Sequence, residues 1–357
     1  MSRPSVNISF TEKAVQSVQR SDRGIVVLIL KDTVPAENPT VVYGITDIPA
    51  GLTAENQTQI SLTLMGYEKV PRKIIVYVVP KGTTENPVDY TEALEYLETE
   101  RFDYLAIPSV TADAKTTDIV TWIKEQRDNG KKCKAVLPKT KADSEGVVNV
   151  TTPEFKAGDT TYTTEQYCSR VAGLIAGTPL TISCAYAPLP ELTDCTRLTK
   201  AQMEAANVAG EFIVFNDGEK VKVDSPINSL TTTNQEKGSQ FKKIKIVEAM
   251  DMIFDDIKKT AEDSYLGKFA NSYDNKCLLI SAIGGYFEQL RLDGIVSSYV
   301  IEIDIPAQKA FLDSIGTVTE GMSDDEIKRA DTLDKVFLKA TVKILDAIEE
   351  INLPITI

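Results

Sequence analysis

Residues 91–138 read TEALEYLETERFDYLAIPSVTADAKTTDIVTWIKEQRDNGKKCKAVLP, and this stretch decides the fold. A helical pattern covers 91–100, an apolar strand over 102–107 stops at Pro108, a helix over 117–129 stops at Gly130, and a strand over 133–137 stops at Pro138. Helix and strand alternating in this way predict a parallel or mixed α/β sheet. Trp122, at helical spacing from Ile119 and Ile123, is expected in its core. Upstream, Ile25-Val-Val-Leu-Ile-Leu30 lacks alternation, as a strand covered on both faces does, and a second strand over 74–79 stops at Pro80. Residues 31–73 between them are rich in Pro, Thr, Asn and Gly, so this first block reads as mainly β.

Downstream of a Thr/Gly/Asp-rich excursion at 140–162, Thr163-x-x-Gln166 and Thr199-x-x-Gln202 are capping boxes that open helices, and Ser323-x-x-Glu326 opens a short third one. Asn216-Asp-Gly218 is a hairpin turn between 212–215 and 221–223. Ile246, Met250, Ile253, Ile257 and Ala261 form one apolar stripe of a helix over 244–263, and a further helix runs over 278–292. Near the end of the chain, Val336, Leu338, Val342 and Ile344 alternate with polar or opposite-face residues over 336–345, and Ile351 to Ile357 alternates throughout. Pro354 restricts that last strand to an edge position.

A length of 357 residues suggests two or three domains. With 39 Lys plus Arg against 52 Asp plus Glu, the formal charge of −13 opposes binding to a phosphate backbone, and nucleic acid is not an expected partner. The chain has no His, which removes imidazole triads, Cys-His dyads and His-dependent zinc sites. Cys133, Cys168, Cys184, Cys195 and Cys277 are odd in number and contain no CxxC pair, so they read as reduced, mostly buried thiols. The apolar runs are far too short to span a bilayer and the start has no apolar leader, so a soluble protein made in the cytoplasm is expected.

Phosphate-cradle, nucleophile-elbow and EF-hand strings do not occur. Gly173-Leu-Ile-Ala-Gly177 fits either a glycine-rich loop or close helix packing, and its place on a helical stripe favours packing. Asp251, Asp255 and Asp256 fit a hard-cation site or, more readily, the solvated or partner-facing side of an amphipathic helix. Lys242, Lys243 and Lys245 could dock an acidic partner or simply solvate the helix entry, and Arg291 and Asp293 have no visible partner. No catalytic residue, cofactor site or metal site is expected.

The mechanical signal lies at the two ends. Val6, Ile8 and Phe10 share one face of an amphipathic strand, as do Leu353, Ile355 and Ile357. Such strands either pair within their own domain or template onto another chain. Burying Val6, Ile8 and Phe10 contributes about 5 to 9 kcal/mol, while ordering six backbone residues costs about 6 to 12 kcal/mol. The near balance predicts an arm that orders only where a receiving sheet supplies an edge.

The strings Ile227-Asn-Ser-Leu-Thr-Thr-Thr233, Phe241-Lys-Lys-Ile-Lys-Ile-Val-Glu-Ala-Met-Asp-Met-Ile253, Tyr265-Leu-Gly-Lys268 and Asn271-Ser-Tyr-Asp-Asn-Lys276 resemble contractile tail sheath proteins of phages and phage-tail-like bacteriocins. Ala172 to Pro179 and Ala209 to Gly218 are similar to the same family, so the resemblance covers 165–357 firmly and the rest loosely. It implies a non-enzymatic subunit that stacks as sixfold rings around an inner tube and contracts to drive that tube through a cell envelope. The arms would carry Val6, Ile8, Phe10, Leu353, Ile355 and Ile357 into a neighbouring subunit's sheet, with Val336, Leu338, Val342 and Ile344 on the receiving strand. Lys242, Lys243 and Lys245 would lie near the tube. Expected partners are other copies of the chain, the tail tube protein, and baseplate and terminator proteins, with no membrane contact, after assembly in the host cytoplasm. The implied organisation is α/β (α+β overall): an arm at 1–24, a β-rich domain at 25–90, a central α/β domain at 91–235, a C-terminal sheath domain at 236–345 and an arm at 346–357. The alternatives are a cytoplasmic α/β enzyme or nucleotide-binding protein forming a closed oligomer, and a tail tube protein.

Overall fold

In the computed structural model, residues 17–20, 23–83 and 86–356 are described. They divide into two compact units. One takes the described residues within Asp22–Met252 and Asp346–Ile357, the other those within Met1–Ser21 and Ile253–Leu345.

The first unit is built on β1 (Ile25–Lys31), β2 (Thr40–Val42), α1 (Ala54–Leu64), β3 (Lys73–Val79), α2 (Thr91–Thr99), β4 (Tyr104–Ala106), α3 (Thr116–Asp128), β5 (Lys134–Pro138) and β6 (Val147–Val150). The six strands form one sheet in the order β2-β3-β1-β4-β5-β6, parallel except for the antiparallel edge strand β2. The unbroken apolar run of β1 follows from this central place. Val26, Leu28 and Leu30 join a core with Ile60, Leu64, Val171 and Ile175, while Val27 and Ile29 join another with Leu97, Ile119 and Ile123. Trp122 belongs to the second core, stacked on Phe102 with ring centroids 6.3 Å apart.

Two features depart from the expected organisation. The stretch read as mainly β contains α1, because its Pro and Gly residues all fall before residue 54 or after residue 64 and leave the helix free of both. Asp32 fixes the start of α1 by accepting from Thr53 N at 2.7 Å and Asn56 Nδ2 at 2.8 Å. The sheet also runs through residue 90, so 25–90 and 91–150 build one α/β sheet rather than a β-rich domain beside it.

The excursion at 140–162 contains β6 and a hairpin of β7 (Glu154–Ala157) and β8 (Thr160–Thr163), strands too short for a periodicity signal. Next come α4 (Thr164–Ala176), β9 (Asp194–Cys195), α5 (Lys200–Val208) and the antiparallel pair β10 (Val214–Asn216) and β11 (Val221–Val223). Both Thr-x-x-Gln capping boxes form. Beyond β6, Val150 bridges Phe212 and Ser229 N donates to Val147 O at 2.8 Å, so this side of the large sheet is closed by the chain itself.

The chain then enters α6 (Ile244–Thr260), whose length crosses the division after Met252. The second unit continues with α7 (Tyr273–Leu292), β12 (Val296–Ile303), α8 (Ile305–Ser314), α9 (Asp324–Arg329) and β13 (Leu338–Ile344). Neither β12 nor α8 was expected, since Ser297, Ser298 and Glu302 dilute the apolar alternation of the first. α7 starts five residues earlier than its apolar stripe, where Ser272 Oγ accepts from Asn275 N at 3.2 Å.

The two small residues of Gly173-Leu-Ile-Ala-Gly177 serve packing. A Cβ on Gly173 would lie 2.0 Å from Thr63 O of α1, and one on Gly177 would lie 2.0 Å from Lys69 O. We predict that Gly173→Ala destabilises the protein by about 1–3 kcal/mol or more through overpacking. A urea unfolding midpoint equal to the parent's would contradict this close approach.

Candidate assembly interface

Among the described residues, β12 and β13 form a sheet of only two strands. Their antiparallel register pairs Tyr299 with Val342, Ile301 with Ala340 and Ile303 with Leu338. Tyr299 packs on Phe287 of α7 at 5.6 Å between centroids, and Ile301 lies beside Gly284 of the same helix, so α7 backs one face of the pair. Of the expected receiving-strand residues, Leu338, Val342 and Ile344 lie on β13, while Val336 precedes it. A two-stranded ribbon keeps its outer backbone N–H and C=O groups available on both sides, the arrangement to which a further strand can add.

One of the family-like strings explains how β13 is placed. Asn271 Nδ2 lies within donating distance of Thr332 Oγ1 (3.0 Å), Leu333 O (2.8 Å) and Lys335 O (2.9 Å), in the loop that feeds the strand. The buried Lys276 donates to the same Thr332 Oγ1 at 2.9 Å, and that hydroxyl donates to Lys335 O at 2.5 Å. Asn271, Ser272 and Lys276 thus cap α7 and fasten the approach to β13 together. Sequence reading saw the string only as a resemblance, because its partners lie about sixty residues away.

The arm residues divide. Val6, Ile8, Phe10 and Ile357 lie outside the described residues. Ile351, Leu353 and Ile355 are 82 %, 74 % and 77 % exposed on an irregular segment, so the regular terminal strand expected there is not formed within this chain. The three lysines do not form a free basic cluster. Lys243 Nζ binds Asp346 Oδ2 at 2.5 Å and Glu349 Oε2 at 2.9 Å, and Lys245 is buried. Arg291 and Asp293 also have partners, in Glu288 and Arg20.

The acidic string on α6 corrects the expectation most sharply. Asp251 is buried rather than solvated, and both its oxygens are taken: Arg127 Nη1 and Nη2 donate at 2.9 and 3.0 Å, and Lys134 Nζ donates at 2.9 Å. Lys134 also binds Glu248 at 2.9 Å, a carboxylate that accepts from Tyr104 OH at 2.6 Å and pairs with Arg23. Asp256 is fully buried and accepts from Tyr286 OH at 2.7 Å. The network ties the first half of α6 to β4, β5 and α3. A stripe-based reading cannot find it, because Asp251 lies off the apolar stripe and meets its cations on α3 and β5, more than a hundred residues away. Burial also governs the thiols, pushing Cys133 and Cys195 up to about 11 and Cys184 up to about 12, so all three stay neutral and unreactive near pH 7.

Burial alone would raise the Asp251 carboxyl, but Lys134 and Arg127 outweigh it and hold the group below its ordinary 3.8. A depressed carboxyl stabilises the fold fully above its unfolded value and loses that contribution as pH falls through the folded value. The unfolding midpoint should therefore decline as pH drops below about 4, with a shallower decline in Asp251→Asn; parallel pH profiles would contradict the role. Lys134→Ala should cost about 3–5 kcal/mol by removing the one cation that two buried carboxylates share, leaving Asp251 to Arg127 and Glu248 to Arg23. Urea unfolding measures that loss, and a change below 1 kcal/mol would count against the network.

Comparison with known proteins places this geometry. The model of the phage tail sheath protein central domain matches residues 83–229, and that of the phage tail sheath C-terminal domain matches residues 236–357. The tail sheath protein of Clostridium phage phiCD119 is 39 % identical over 355 residues, covering 98 % of this chain and 97 % of that protein. The fold is shared with the crystal structure of a sheath tail protein from Desulfitobacterium hafniense, at a TM-score of 0.69 and 21 % identity over 84 % of this chain and 94 % of that one. It is also shared with the helical sheath of the anti-feeding prophage in its contracted state, at a TM-score of 0.70 and 17 % identity over 100 % of this chain and 99 % of that one. With both family domains matched and a relative aligned end to end, this chain belongs to the phage tail sheath protein family.

Proposed function

We propose that this sheath subunit polymerises as stacked hexameric rings around an inner tube and contracts to drive that tube through a target cell envelope. The observation that carries the reading is the two-stranded ribbon of β12 and β13 in a chain whose last described residues expose alternating apolar side chains. Leu353, Ile355 and Ile357, with Val6, Ile8 and Phe10 from the other end, are the donor residues, and β13 with Leu338, Val342 and Ile344 is the receiving strand. Val336, just ahead of it, is the fourth residue assigned to the receiving segment. Each donor strand supplies hydrogen bonds to an edge and apolar side chains to the helix-backed face. Several such weak contacts per subunit make growth cooperative once a nucleus exists.

Contraction on this reading is a change between two packings of nearly rigid subunits, driven by the difference in their contact free energy. The work is done by geometry, with no catalytic step assigned to any side chain. The buried thiols and the internally neutralised carboxylates support that assignment. The tail tube, baseplate and terminator proteins are the other partners we assign, and assembly takes place in the host cytoplasm. The contracted sheaths of the anti-feeding prophage and of an extracellular contractile injection system lend this scheme their fold.

Ile355→Asp places a charge at the centre of the donor face. The variant should remain a soluble, folded monomer and lose polymerisation, read by sedimentation and by electron microscopy of negatively stained particles. Tubes of parental length would refute the arm assignment, and a single small closed oligomer in the parent would favour an enzyme-like assembly instead.

A further inference from the structure

We propose that Lys243 is a latch: it fixes the root of the C-terminal segment through Asp346 and Glu349 and so sets how far the outgoing arm can reach. The inference rests on the reading that residues 351–357 engage a second copy of this chain, and it adds a positioning site to that reading.

The β12–β13 pair ends where Leu345 N donates to Ile295 O at 2.8 Å. The next four residues are held by side chains. Lys243 Nζ takes Asp346 Oδ2 at 2.5 Å and Glu349 Oε2 at 2.9 Å, while Glu349 Oε1 accepts from Ser183 Oγ at 3.3 Å. The second oxygen of Asp346 accepts from Ala347 N at 2.8 Å, which turns the segment at its root. Among the described residues past Glu349 the pattern stops. The side-chain bond found there, Asn352 Nδ2 to Glu350 Oε1 at 3.0 Å, is internal to the segment, and the apolar side chains that follow face solvent. The line between held and free chain therefore falls at Glu349.

The post is itself rigid. Lys243 bridges Ile227, donates its N–H to Gln240 O at 3.1 Å and accepts from Val247 N at 3.1 Å, at the residue that precedes α6. Burial pulls the Lys243 ammonium down, yet its bonds to Asp346 and Glu349 overcome this and raise it, so the post is charged at neutral pH. Pairs exposed to this degree are individually weak and screened by salt. The latch is thus a reversible hold whose strength comes from three contacts acting on four residues.

Reach follows from where the hold ends. Measured as far as Ile357, the eight residues from Glu350 span at most about 26–29 Å when extended, whereas release at Asp346 would carry Ile357 about 40–43 Å from the point of hold. A held root confines the arm tip to a smaller volume and raises its effective concentration at a receiving edge within that radius.

Two measurements test the latch. On subunits kept monomeric by dilution, a glutamate-specific protease should cut after Glu349 about tenfold faster in Lys243→Glu and in the neutral Lys243→Gln than in the parent. Lys243→Arg should behave as the parent. Equal cleavage rates in parent and variants would overturn the latch, whatever happens at Ile355. In assembly, Lys243→Glu should slow tube growth at least fivefold, and the exchanged set Lys243→Glu, Asp346→Lys, Glu349→Lys should restore it. Growth of Lys243→Glu at the parental rate would also overturn the latch, whereas polymerisation of Ile355→Asp would overturn the arm reading alone.

Discussion

A β-strand carries a donor and an acceptor at every residue, and those on its outer edge must be satisfied by water, by more of the same chain or by another chain. The assembly account depends on that constraint at the β12–β13 ribbon, where the described residues supply two strands and α7 covers one face. Isolated two-stranded ribbons are marginal in water, so a third strand contributes both hydrogen bonds and cover for apolar side chains. Elsewhere the same chain takes the opposite course. It seals the β6 side of its six-stranded sheet with Phe212 and Ser229 and, among the described residues, ends the other side with the three-residue strand β2.

Interior charge is handled with equal economy. Asp251 and Glu248 lie on the polar side of α6, but they are spent on Lys134, Arg127, Arg23 and Tyr104 within the first unit. Removing one member leaves the others less fully compensated in a poorly solvating interior, so the network acts as a positional lock for the helix rather than as a site. Asn271, Ser272 and Lys276 do related work in the second unit, where they hold the loop from Thr332 to Lys335 ahead of β13. Both locks are polar, and both join residues far apart in the chain.

That distinction explains what could be read from the sequence. Elements specified locally were legible: the unbroken apolar run of β1, the Pro and Gly stops around α2 to β5, the Thr163 and Thr199 capping boxes, the Asn216-Asp-Gly218 turn and the stripe of α6. Short or diluted elements were not. α1 hides in a Pro-rich stretch, β7 and β8 are four residues each, and β12 carries serines where an apolar face was sought. Of the residues proposed for assembly, the alternation around Leu338, Val342 and Ile344 and around Leu353 and Ile355 was visible, because period two needs only neighbours. The engagement of Lys243 by Asp346 and Glu349 was invisible, because about a hundred residues separate the partners and nothing local marks them.

A strand donated between copies has one direct signature. A high-resolution reconstruction of the assembled polymer should show an extended segment of a second copy, drawn from its first or last residues, hydrogen-bonded along the outer edge of β12 or β13. A map in which both ends of every copy fold back on their own subunit, with those edges facing only solvent, would contradict the account.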